Sequence, residues 1–122
     1  MSSLINIEQI RAKNALSEKG NAVAKQGNEG DALSGFPSLI INNGLIACVA
    51  FSIDKAGQHS RISEAIAYHL NERGILKASS ALSLRDALCN GDSSTLRRAT
   101  HESLQFLSYL KRFQRKSKTE NS

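Results

Sequence analysis

Along most of this chain, apolar residues recur at helical spacing rather than in strict alternation. Residues 60–73 give the clearest case. Ile62, Ala65, Ile66, His69 and Leu70 fall at i, i+3, i+4, i+7 and i+8, which places them on one face of an amphipathic helix. Ser60 can cap its start, and Gly74 can end it in a left-handed conformation. A longer stripe begins after Asp92, a capping residue, and runs to about Arg115: Leu96, Ala99, Ser103, Phe106, Leu110 and Phe113, with Thr100 and Leu107 beside it. The opposite face of that helix carries Arg97, His101, Gln105, Arg112 and Arg115. Residues 4–26 are rich in Ala, Lys, Glu and Gln and read as a first helix, its apolar stripe interrupted by Asn14 and Asn21.

Between these lie shorter elements. Gly27, Gly30 and Gly35 mark a loop with a short helical turn at 31–34. Pro37 suits the first position of a helix, because its missing N–H would be unbonded there anyway, so a second helix is expected to open at Pro37 and stop at Asn43–Gly44. Leu45 to Lys55 is apolar nearly all round and is expected to be the most buried helix. The stretch from Ser38 to Phe51 also fits a β-hairpin turning at Asn-Gly; the helical context on both sides favours two helices. Ser83 and Asp86 resemble a capping box opening a short helix that ends at Asn90–Gly91. The expected fold is all-α: a single domain of about six helices over residues 1–116 with a long basic C-terminal helix, followed by a flexible polar tail at 117–122.

Composition supports this. At 122 residues the chain suits one domain, and with four Phe, two Tyr and no Trp its core must be built from aliphatic side chains. A single proline leaves little of the punctuation an all-β fold needs. The longest apolar run, Leu45 to Phe51, is too short to cross a bilayer, and the N-terminal residues have no signal-peptide pattern. A soluble, cytoplasmic protein is expected, with Cys48 and Cys89 as reduced core residues.

Charge changes the picture more. Between residues 97 and 118 there are seven basic side chains (Arg97, Arg98, Lys111, Arg112, Arg115, Lys116 and Lys118) against one acid, Glu102. The rest of the chain carries nine basic and ten acidic residues, so the whole positive excess behind the net charge of +5 lies in this segment. One-sided charge of this kind suits a polyanion or an acidic protein surface. Arg97, Arg98, Lys111, Arg112, Arg115 and Lys116 are the candidate RNA-binding residues, with Tyr109 as a stacking surface. The competing reading is a solvated helix face, helped by the preference of cations for a helix C-terminus.

Candidate catalytic chemistry is thin. His59, His69, His101, Cys48 and Cys89 have no zinc-type spacing, and His69 reads as a hydrogen-bonded histidine at the edge of the core. No serine sits in a nucleophile motif, the acids are scattered, and the glycines lack the ending of a phosphate loop. No catalytic residue, metal site or cofactor is expected.

Two segments carry a resemblance beyond composition. Phe36-Pro37-Ser38-Leu39-Ile40-Ile41-Asn42-Asn43-Gly44-Leu45 continues to Phe51, and Thr100-His101-Glu102 opens a helix ending Ser108-Tyr109-Leu110-Lys111-Arg112-Phe113. In order and spacing these resemble the small helical subunit of the type III-B CRISPR effector, the Cmr complex. Tyr109 stands where that family usually has tryptophan, and Phe36 where leucine is common. The resemblance implies an antiviral, non-nuclease subunit that stacks with copies of itself beside the repeated guide-binding backbone subunit, flanking the channel where guide RNA pairs with target RNA. It matches Lys111 and Arg112 to basic family positions facing RNA or a neighbouring subunit. It also matches Thr100 and Glu102, which are equally suited to a structural role such as a helix-surface ion pair. Asn43 and Gly44 are expected to set the turn. The alternatives are a stand-alone helical protein-binding scaffold and a nucleic-acid-binding regulator.

Overall fold

The computed structural model describes residues 6–24 and 31–120, with side chains as far as Gln114. Seven helices and no strand occur among the described residues: α1 (Ile7–Ala15), α2 (Glu18–Asn21), α3 (Ala32–Asn43), α4 (Leu45–Lys55), α5 (Gly57–Glu72), α6 (Ala81–Asn90) and α7 (Ser93–Glu120). The fold is all-α with a long C-terminal helix, as the periodicity predicts.

The expected first helix is two helices. Ser17 breaks it: its hydroxyl donates to the Asn14 carbonyl at 2.6 Å and accepts the Gly20 N–H at 3.3 Å, capping α2 as α1 ends. Gly20 then packs directly on the end of α1, where a Cβ would lie 2.1 Å from the Ala15 carbonyl oxygen. Only glycine permits that approach. Asn14 and Asn21, which interrupt the apolar stripe, are the residues that hold the corner. Asn21 donates to the Leu16 carbonyl and accepts from Gln114 of α7, while Asn14 points into the core. The glycine loop at Gly27 and Gly30 lies outside the described residues.

Pro37 does not open a helix; it lies inside α3. Asp31 supplies the N-cap instead, accepting from the backbone and the hydroxyl of Ser34, and starts the helix five residues earlier than Pro37 would. The proline removes the N–H that would reach the Leu33 carbonyl. The hairpin alternative is not adopted: α3 ends on Gly44 at φ +91°, a conformation glycine takes without strain, and α4 leaves from the same residue.

The most buried helix is α5 rather than α4. It packs against all six other helices and buries Ile62, Ala65, Ile66, His69 and Leu70, the predicted stripe, along with Gln58, Ser63 and Ala67. Helix α4 keeps Ala47, Ala50 and Phe51 on the surface, because only its Leu45, Cys48, Val49 and Ser52 side meets the core. Helix α5 also starts earlier than Ser60, at Gly57, and the Ser60 hydroxyl bonds back to the Gly57 carbonyl. Gly74 follows its end at φ +71°, the left-handed conformation expected there. Gln58, buried near the start of α5, accepts the Ala32 N–H at 2.8 Å and donates to the Val23 carbonyl at 2.9 Å. It thereby ties together the two ends of the segment between α2 and α3.

The capping box of α6 lies three residues before the expected one. Ser80 is the cap and Ser83 its reciprocal partner, so the helix gains three residues, Ala81, Leu82 and Ser83. Asp92 caps α7 through the Thr95 N–H at 2.8 Å, as predicted. The helical backbone of α7 continues past Arg115 to Glu120, taking in the first four residues of the segment read as a polar tail.

Candidate functional site

Helix α7 divides sharply into two faces. Ala99, Glu102, Ser103, Phe106, Leu107, Leu110 and Gln114 are buried, while Arg97, Arg98, His101, Ser108 and Arg112 are exposed. At 100° per residue, Arg97, His101, Ser108 and Arg112 fall within a sector of about 60°, spread along about 22 Å of helix. Lys111 sits at the border and is half-buried. The side chains of Arg115 and Lys116 lie outside those described. Tyr109 is also half-buried; its ring meets Phe113 at a centroid distance of 6.4 Å, so only part of it faces out. The structure thus brings Arg97, Arg98 and Arg112 to one exposed helix. Arg97 and Arg98 lie near the start of α7, where the helix dipole offers cations no stabilisation. The dipole therefore favours only the cations at the far end of α7.

The sole acid of this segment does not dilute the face, because Glu102 turns inward. Its side chain is 5% exposed and is met by Arg11 of α1, His69 of α5 and Arg73 just past the end of α5. Arg11 of α1 approaches in fork geometry, Nε to Oε2 at 2.7 Å and Nη2 to Oε1 at 2.8 Å. Arg73, just past α5, brings Nη1 to 2.7 Å from Oε1. His69 Nε2 lies 2.8 Å from Oε2, and its Nδ1 lies 2.9 Å from the Asn14 amide nitrogen. An amide N–H aimed at Nδ1 requires that atom to accept, so His69 is the neutral tautomer with its proton on Nε2, donated to Glu102. Its ring stacks on Phe106 with centroids 4.3 Å apart and planes 8° from parallel.

Electrostatics follow from this geometry. Burial alone would raise the Glu102 carboxyl; the donors from Arg11, His69 and Arg73 outweigh it and hold the pKa at about 2. Burial pushes His69 below its ordinary value, against the opposing pull of Glu102. The bond to Glu102 raises Arg11 further. Of the two readings open for Glu102, the geometry gives the structural one, as a buried link joining α1, α5 and α7 and not a pair on one helix surface. Thr100 is structural too, its hydroxyl donating to the Leu96 carbonyl at 2.8 Å. Arg11, Asn14 and Arg73 escaped the sequence reading because their partners lie 91, 55 and 29 residues away, beyond any local pattern. The one clue was a lone acid on the inward side of a basic helix.

The remaining candidates do not assemble. No group of three or more His, Cys, Asp or Glu side chains able to hold a metal ion occurs among the described residues. His69 lies fully inside the core rather than at its edge. His59 sits against Phe51 and Phe36. Cys48 is buried, and burial raises its thiol to about 12. Cys89 is not a core residue: α6 turns Ala81, Leu84 and Leu88 inward, and Cys89, about 100° around from Leu88, is exposed. No helix among the described residues is long and apolar enough to cross a membrane.

Comparison with curated proteins and with solved structures gives no match. The model of the CRISPR-associated protein family Cas_Cmr5, however, matches residues 7–116, a span running from the first residue of α1 into the last turns of α7 and including every group of the Glu102 cluster. Since that match covers nearly the whole helical fold, the chain belongs to the Cas_Cmr5 family of CRISPR-associated proteins.

Proposed function

We propose that this chain is a non-catalytic structural subunit of a type III-B CRISPR effector in the cytoplasm. It stacks with copies of itself beside the repeated guide-binding backbone subunit and lines the channel in which guide RNA pairs with target RNA. The basic face of α7 is its contribution to that channel. The observation that carries this reading is the disposal of charge on α7: its lone acid before residue 118 is spent inside the core, and Arg97, Arg98 and Arg112 are left exposed on one side.

Such a face recognises an RNA duplex through phosphates and shape, leaving sequence to base pairing. Each cation placed on a phosphate releases counterions, so its removal weakens binding and flattens the salt dependence. In the assembled complex, replacing Lys111, Arg112, Arg115 and Lys116 together with Ala is expected to lower target-RNA affinity. The slope of log K against log salt should fall by about 0.7–1 for each cation withdrawn from a phosphate. Filter binding or fluorescence anisotropy across a salt series measures this. A slope unchanged from wild type would remove RNA contact from the role of α7 and favour the scaffold reading, in which this face docks an acidic protein.

A further inference from the structure

The two motif segments meet in space. Where the α3–α4 turn approaches the first half of α7, an open groove of about 640 Å³ lies between them. Ile46 and Ala47 form one wall; Leu96 and Leu104 form the other. Arg97 and His101 stand on the rim, both exposed, and no acidic residue lines the groove.

The chemistry of this lining selects among occupants. A nucleobase needs a flat ring to stack on and hydrogen-bonding groups for its edge. The walls are aliphatic, the flat groups, Arg97 and His101, stand on the rim rather than inside, and the hydroxyl of Thr100 already donates to the Leu96 carbonyl, so the interior of the groove is built for an apolar group. An aliphatic or aromatic side chain of a protein matches the walls, and a carboxylate beside it matches the rim. Arginine beside an apolar surface is a common anchor at protein interfaces, because a guanidinium can hold a carboxylate in fork geometry.

We propose that this groove docks an apolar side chain from an acidic segment of a neighbouring protein subunit, with Arg97 holding a carboxylate about one helical turn from that side chain. The basic face of α7 is then shared between two partners: its N-terminal end serves protein, and its end beyond Tyr109 serves RNA. The inference rests on the chain working inside a multi-protein complex and is independent of whether α7 touches RNA.

The test uses the assembled complex. A photo-cross-linking benzoylphenylalanine replaces Ala47 on the groove wall, or Asn43 at its mouth if the first variant fails to assemble. After irradiation, the cross-linked peptide is sequenced. The expected product joins this chain to a protein subunit, within a segment that carries Asp or Glu next to an apolar residue. Adding Arg97→Glu should cut the yield at least about tenfold while the chain stays in the complex, because it sets a second carboxylate against the one Arg97 would hold. Cross-linking to RNA, to a neutral or basic segment, or to nothing in an assembled complex overturns the proposal and leaves the subunit reading intact. So does a yield indifferent to Arg97→Glu. A chain that enters no complex overturns both.

Discussion

Replacing Glu102 with Gln is expected to destabilise the protein by about 3–5 kcal/mol, the range for removing one partner from a buried ion pair. The change keeps the shape of the side chain and removes its charge. Arg11 and Arg73, whose side chains are only 16% and 14% exposed, then face an amide able to accept from them only through its single oxygen. The amide nitrogen would also point a donor at a guanidinium or at His69 Nε2, where the carboxylate now accepts. Because Glu102 joins α1, α5 and α7, its loss loosens three helices at once. A domain of this size holds roughly 5–15 kcal/mol in total, so the variant forfeits a large share of its stability. Urea denaturation reads the change directly, and a melting temperature lower by on the order of 10–20 °C should accompany it. The Arg85–Asp86 pair is the contrast: it is exposed, and its removal should be nearly silent. A Glu102→Gln loss below about 1 kcal/mol would contradict the picture of a desolvated cluster.

The second expectation concerns acid. Glu102 titrates at about 2 in the fold against 4.5 for an ordinary glutamate. The carboxylate therefore contributes stability that is fully present above pH 4.5 and is lost as pH falls through the folded value. That difference corresponds to about 3 kcal/mol. His69 acts in the same direction. Its folded pKa lies below 6.5, so the unfolded chain takes up its proton first, and stability begins to fall as pH drops below 6.5. A protonated Nδ1 would face the Asn14 N–H, donor against donor. Asp92, held low by the Thr95 N–H it caps, adds to the same trend. Stability measured by denaturant from pH 8 downward should hold steady, begin to decline below about 6.5, and decline more steeply below about 4.5. In Glu102→Gln the steeper part should be much reduced. Stability that rises on acidification would show that the cluster is not built as described.

The parts of this fold written in local pattern were legible beforehand. The α5 stripe, the Asp92 cap, the left-handed Gly74 and the span of α4 each depend on residues within two turns of one another. What escaped depends on distant partners. Nothing near Asn14 announces that it bonds His69, and without that contact Asn14 reads as a flaw in a stripe. Pro37 looked like a helix start because local propensity favours it there, but Asp31 caps earlier and tertiary packing carries the helix through. Apolar content misjudged α4 against α5, because burial follows position among the helices: α5 sits between all the others and buries even Ser63 and Gln58. The candidate site was visible as a charge imbalance. Its sharpness was not, since that required knowing that Glu102 turns inward and takes Arg11 and Arg73 with it.

Whether this chain works as one subunit of an RNA-guided complex is decided by purifying it from the native host under mild salt. The chain is tagged, its bound proteins are identified and its bound RNA is sequenced. Several co-purifying subunits are expected, together with short RNAs that share a common repeat-derived end. A chain recovered alone, or with one protein and no RNA, would contradict that role.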